Sequence, residues 1–401
     1  MVLVSPFLSR IYQPTDFGKY AVFASTVGVL SVFSSLRYEI AIPLPREENA
    51  AWALARIAFG SALIVSAALL LSSPIWGATY LRAVGVRPEN GWHAAVLFIP
   101  LGIVSTVAYQ VSNFLVIRHK RHDLLAKGKV VQGSTTATSQ VAFGYLALGS
   151  TGLIVGLIVG RMMAALFSLG RLRITYTAKA DIMKAAKRFS RFPKLALPSG
   201  GLNALAVEMP MLLTSSIFGV SIAGYYALAQ RVVVTPLSMI GKSIAQVYMS
   251  TLGEKVRERD PVALSLFSGV AKRLLLLATP IFVVMAIAAP PFFKIVFGDK
   301  WYAAGEILRI LSPSFLAQFV VVPLSQTLNF IGRQEYQLAW DVFRFSGVIA
   351  SFALVRILGY GYVYAFCALS VFMVVAYGVL YYVMYNNLRR TTNSWMPNSE
   401  V

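Results

Sequence analysis

Five polar side chains recur at helical spacing inside one apolar run: Arg231, Thr235, Ser238, Lys242 and Gln246, separated by 4, 3, 4 and 4 residues. That spacing puts all five on one face of one helix. Two cations on that face, eleven residues apart, lie about 16 Å apart along the axis. Such a ladder suits an anion, above all a phosphate, held by charge-assisted hydrogen bonds. Glu208 in the preceding run is the natural counter-charge for one of them. As a packing ion pair it has no substrate role; facing a wet site it exchanges a proton or Na⁺. A second pair, Arg37 with Glu39, ends the first long apolar run, and Arg10 precedes that run. Arg161 lies within another run. Arg309, Asp341, Arg344 and Arg356 lie near run ends, where long side chains snorkel to the interface.

The elements that position these groups follow from composition. Of 401 residues 57% are hydrophobic and only 13% charged, about half the charge of an ordinary soluble domain. A water-facing surface cannot be covered on those terms, so the chain is expected to be an all-α integral membrane protein. Eleven apolar runs of roughly bilayer-spanning length support about 11 transmembrane helices, among them Tyr20–Leu44, Val130–Leu148, Leu195–Phe218 and Gly224–Met249. If the runs alternate sides, one set of connections carries 23 basic residues and the other 6. That asymmetry fixes the richer set as cytoplasmic and accounts for most of the net charge of +20, leaving nucleic-acid binding unnecessary. The lone cysteine, Cys367, excludes an intrachain disulfide. No GxxxxGK[ST], HExxH, GxSxG or paired-cysteine pattern occurs, so no catalytic site, metal site or cofactor is expected.

The chain reads as a duplication. Gly18-Lys19-Tyr20-Ala21 and Gly224-Tyr225-Tyr226-Ala227 open two runs 206 residues apart, and Trp92-His93-Ala94-Ala95 and Trp301-Tyr302-Ala303-Ala304 open two others 209 apart. The expected organisation is a helical lobe at 1–170, a basic cytoplasmic linker at 171–194, a second lobe at 195–390 and a cytoplasmic tail at 391–401. Two pseudo-symmetric lobes around a central cavity are the arrangement of a secondary transporter. Within the linker, DIMKAAKRFSRF is either an amphipathic helix lying on anionic lipid or a solvated connector. Aromatic residues at the outer ends, including Trp76, Tyr80, Trp92 and Tyr225, make an interfacial belt or a surface that stacks on sugars.

PFLSRIYQPTDFGKYAVF with LRYEIAIPLPREENA, then AGYYALAQRVVVTPLSMIGKSIAQVY, and later FVVVPLSQTLNFIGRQ resemble bacterial polysaccharide flippases. These export O-antigen or capsule repeat units and belong to the multidrug/oligosaccharidyl-lipid/polysaccharide exporter superfamily. The resemblance implies twelve helices in two lobes with both termini cytoplasmic; here the first helix reads as reduced to Val2–Leu8. It implies an undecaprenyl-pyrophosphate-linked oligosaccharide as substrate, an ion gradient as energy source and a location in the inner membrane. It also implies membrane lipids as neighbours and a polysaccharide polymerase and chain-length regulator as partners. In that frame Arg37, Arg231, Lys242, Gln246 and Arg10 are expected to contact substrate, and Glu208 or Glu39 to couple the ion. The rivals are a multidrug exporter of the same fold, a membrane glycosyltransferase or polymerase, and a non-transporting scaffold.

Overall fold

A computed structural model describes residues 2–86, 93–175 and 178–395. Every regular element among the described residues is helical. Their order is α1 (Ser5–Ile11), α2 (Pro14–Ser34), α3 (Tyr38–Ala41), α4 (Glu48–Leu71), α5 (Ser73–Ala83), α6 (His93–Arg118), α7 (His122–Tyr145), α8 (Gly149–Leu169), α9 (Lys179–Arg188) and α10 (Leu197–Phe218). There follow α11 (Val220–Arg257), α12 (Val262–Phe297), α13 (Tyr302–Val321), α14 (Thr327–Phe330), α15 (Gln334–Ile357) and α16 (Tyr362–Asn393). Arg87, Trp92 and the end of the tail lie outside the described residues.

Ten helices among the described residues are long and apolar enough to cross a bilayer, and the chain is a multi-pass membrane protein. The outer side of α12 shows why: Leu276, Leu277, Ile281, Val284 and Ile287 are all more than half exposed. In water such a stripe would drive association, whereas in a bilayer it meets lipid. The expected run Val130–Leu148 falls largely within α7, whose Ser, Thr, Gly and Gln side chains make it less apolar. Those small and polar groups are used for packing. Gly156 of α8 is so close to α7 that a Cβ there would stand 2.6 Å from Gln140 Cγ. The Gln140 amide donates to Leu153 O at 2.9 Å, and Tyr12 donates to Gln140 O at 2.6 Å. Where lipid is as apolar as a leucine, close backbone approach and interhelical hydrogen bonds are what hold helices together.

The chain divides into two compact units at Ala227 and Leu228. α10 packs along α2, and the first unit holds α10 and the start of α11. Its core is built from Phe23, Trp52, Ile103, Leu115 and Ile154, supplied by α2, α4, α6 and α8. In the second unit α12 and α13 form a close antiparallel pair; a Cβ on Gly305 would meet Pro290 Cα at 2.6 Å. Tyr248, Phe267, Trp340, Tyr377 and Met384 fill the second core.

Candidate functional site

In the first unit the groups that carry charge are set by how α2 begins and ends. Pro14 opens the helix, and the Gln13 N–H is capped by Asp16 Oδ2 at 3.0 Å. At the other end Leu36 and Arg37 both take left-handed backbone, at φ 54° and 62°. Neither is glycine, and each such residue costs about 1–2 kcal/mol. The turn is held from outside: Ser61 donates to Ser34 O at 2.8 Å, and Tyr38 donates to Ala186 O of α9 at 3.2 Å. Its product is the placement of Arg37, whose guanidinium lies on Gly200 of α10 and 3.7 Å from Glu39 Oε1. Glu39 is 2% exposed and its Oε2 has no hydrogen-bond partner. Burial pushes the Glu39 carboxyl above its ordinary value; Ser35, its own backbone N–H and Arg37 oppose that only in part.

Glu208 sits about 12 Å further along α10 from Gly200. Its carboxylate lies over Gly28, with Oε1 3.3 Å from where a Cβ would stand, and accepts a hydrogen bond from Ser25. The cation that faces it in this unit is Arg161 of α8. Arg161 in turn donates to Thr106 Oγ1 at 2.7 Å. Thr106 begins a polar face on α6 that continues through Tyr109, Gln110 and Asn113, at spacings of 3, 1 and 3 residues. Gln110 Oε1 and Asn113 Oδ1 are buried without a hydrogen-bond partner. Sequence reasoning from charged groups misses this face, because it bears no acidic or basic side chain. The helical spacing of hydroxyls and amides was the available signal.

In the second unit the stripe on α11 is one helical face. Arg231 is half-buried; Lys242 and Gln246 are exposed. The Thr235 side chain lies outside the described ones. Lys242 and Ser238 border an open pocket between α11 and α13. The rest of its wall is largely apolar: Val233, Val234, Leu237, Phe315 and Phe319, with Gln318 as a further polar group. One ammonium at an apolar hollow is chemistry for an amphiphile with an anionic end.

The remaining charges divide. Arg309 and Arg356 are exposed, as snorkelling side chains are. Asp341 and Arg344 are not: they pair at 3.2 Å with side-chain exposures of 16% and 11%. Arg344 also lies over the Trp340 ring at 4.7 Å. They do not snorkel because Trp340 and Tyr377 pack against Arg344, and Trp340 is itself tied to Ala376 O at 2.8 Å. Arg10 is exposed in the last turn of α1.

A family model described as a polysaccharide biosynthesis protein matches residues 7–306. The succinoglycan biosynthesis transport protein ExoT of Rhizobium meliloti is 25% identical over 352 residues, covering 84% of this chain and 67% of that protein. The teichuronic acid biosynthesis protein TuaB of Bacillus subtilis is 26% identical over 172 residues, covering 43% of this chain and 35% of that one. The chain thus spans about two thirds of the first relative and about a third of the second. Among solved structures, an inward-facing multidrug resistance MATE family transporter of the MOP superfamily superposes with a TM-score of 0.70 at 14% identity, covering 100% of this chain and 96% of that one. The lipid II flippase MurJ in an inward closed conformation gives 0.73 at 11% identity, covering 98% and 88%. Those two likenesses establish the fold.

Proposed function

Because this chain belongs to the polysaccharide biosynthesis protein family, we propose that it flips a negatively charged, lipid-linked saccharide unit from the cytoplasmic to the outer leaflet of a bacterial inner membrane. The observation that carries this reading is Lys242 at the edge of the apolar pocket between α11 and α13. A phosphate or pyrophosphate meets the ammonium, and the apolar part of the same molecule meets Val233, Leu237 and Phe315. A bilayer-depth site with few competing waters strengthens that charge pairing over what a surface lysine offers. Within the second unit Arg231, eleven residues earlier on α11, is a further cation for the anion and Gln246 a further donor; Arg37 and Arg10 of the first unit are proposed as substrate contacts in their own right. The relative named for succinoglycan transport supports the saccharide class.

Coupling to an ion gradient needs a group that binds and releases a proton or Na⁺. Glu208 fits that role, because it is half-buried with one hydroxyl and one facing guanidinium as its companions. A proton taken up by Glu208 would free Arg161 to rely on Thr106 alone. Glu39, buried beside Arg37, is the second acid with that capacity.

The test uses Lys242→Ala and Glu208→Gln in cells whose surface polysaccharide depends on this chain. Both variants are expected to reach the membrane at normal abundance and to lose surface polysaccharide, with lipid-linked precursor accumulating inside. Normal surface polysaccharide in Lys242→Ala removes the proposed anion contact. A cationic substrate would be repelled at Lys242, so a multidrug exporter is distinguished by resistance to toxic cations that rises in Lys242→Ala.

A further inference from the structure

α9 lies within the basic segment 171–194 and directly before the candidate span Phe192–Phe218. One side of it is spent on docking. Ala185 is buried, and Ile182 and Phe189 pack against the core of the first unit. Arg188 pairs with Glu47 at 2.9 Å, and the Ala186 carbonyl accepts the Tyr38 hydroxyl. The other side is left over. Lys184, Lys187, Arg191 and Lys194 are exposed, and among the described residues none of the four forms an ion pair. Lys184 and Lys187 are three residues apart on α9, and Arg191 and Lys194 follow in the short segment between α9 and α10.

We propose that this side of α9 and the segment that follows it, with Lys184, Lys187, Arg191 and Lys194, form a binding surface for anionic phospholipid headgroups. Two observations favour a lipid surface over an acidic protein. First, the cations are interleaved with exposed apolar side chains: Met183 is 57% and Leu195 70% exposed. That mixture suits a boundary where methyl groups dip toward acyl chains while ammonium groups stay with phosphates. Second, the chain passes from α9 into its next span within a few residues, so the face stands at headgroup depth. The docked side fixes the helix, so little ordering cost remains when lipid binds. The surface is independent of what the protein transports.

The contribution of each cation near an anionic surface corresponds to about fivefold in affinity. The experiment places the full chain in nanodiscs of phosphatidylcholine alone or with phosphatidylglycerol, and follows amide exchange over 182–195 together with the lipids retained in native mass spectrometry. Phosphatidylglycerol is expected to slow exchange across this segment, and added salt to reverse it. The variant Lys184→Gln/Lys187→Gln/Arg191→Gln alters only exposed side chains and is expected to lose about a hundredfold in lipid affinity. Lys272→Gln/Arg273→Gln, on α12, removes exposed charge elsewhere and should leave the 182–195 response unchanged. Equal exchange in the two lipids, or a triple variant that keeps its phosphatidylglycerol, overturns the proposal. So does protection that needs an added acidic protein.

Discussion

Gly18 of α2 and Gly224 of α11 meet reciprocally. A Cβ on Gly18 would strike the carbonyl of Val220 and stand 3.0 Å from Gly224 N; a Cβ on Gly224 would strike the carbonyl of Pro14 and stand 3.0 Å from Gly18 N. Each glycine therefore faces the backbone one turn before the other, and the matched residues are 206 apart in both directions. This local two-fold relation joins the two copies of the Gly-x-Tyr-Ala motif.

Because the obstacles at this crossing are carbonyls and not flexible side chains, either helix must move to admit a methyl group. Gly18→Ala or Gly224→Ala is expected to cost about 1–3 kcal/mol, read as a lower unfolding temperature in detergent. The double variant should cost less than the sum, because each change already opens the same crossing. Gly60→Ala, with open space around it, should be neutral or mildly stabilising. Additive losses at Gly18 and Gly224 would contradict the shared contact.

Gly200 tests the placement of Arg37 without touching its charge. A Cβ there would stand 2.6 Å from Arg37 Cζ, and the guanidinium, at the far end of a flexible chain, is what yields. Gly200→Ala is therefore expected to fold and to lose surface polysaccharide as Arg37→Ala does. Gly378→Ala on α16, with nothing within 4 Å, should retain it. Full activity of Gly200→Ala would show that the present position of Arg37 is not needed.

Periodicity made the α11 stripe legible, because hydrophobic and polar residues alternate there at the helical period. The 206-residue offset was legible too, and the crossing shows what the glycine of each copy does there. Other features left no such mark. Arg37 adopts left-handed backbone with no glycine to announce it, so the turn that aims it at Gly200 is invisible in residue type. Asp341 and Arg344 sit close to a run end in sequence, but Trp340 and Tyr377 cover them; that cover is a tertiary fact. The assignment of α10 to the first unit likewise depends on its packing along α2, which no run of apolar residues specifies.

Glu39 gives a pH dependence with a definite sign. Its folded value is raised above the ordinary carboxylate value by burial, so the folded state binds the Glu39 proton more tightly than the unfolded chain does. That contribution to stability is fully present below the ordinary value, about 4.3, and is lost as pH rises through the raised one. Unfolding temperatures measured upward from about pH 4 should therefore fall more in the native protein than in Glu39→Gln, whose amide does not titrate. Parallel curves would mean that Glu39 contributes no proton linkage.

The Asp341–Arg344 pair is expected to matter for stability more than its position at a run end suggests. Removing one member of a buried pair leaves the other charge desolvated, at about 3–5 kcal/mol. Here Arg344 also engages the Tyr377 hydroxyl and lies over Trp340, so Asp341→Asn should fall at the lower end of that range. Arg309→Gln, an exposed cation, should change stability by less than about 0.5 kcal/mol. Asp341→Ala/Arg344→Leu removes both charges and is expected to recover part of the single-variant loss, because no unpaired ion remains among Trp340, Ala376 and Tyr377. Thermal unfolding of the three variants in one detergent distinguishes these outcomes; equal effects of Asp341→Asn and Arg309→Gln would mean that the pair is as well solvated as a surface charge.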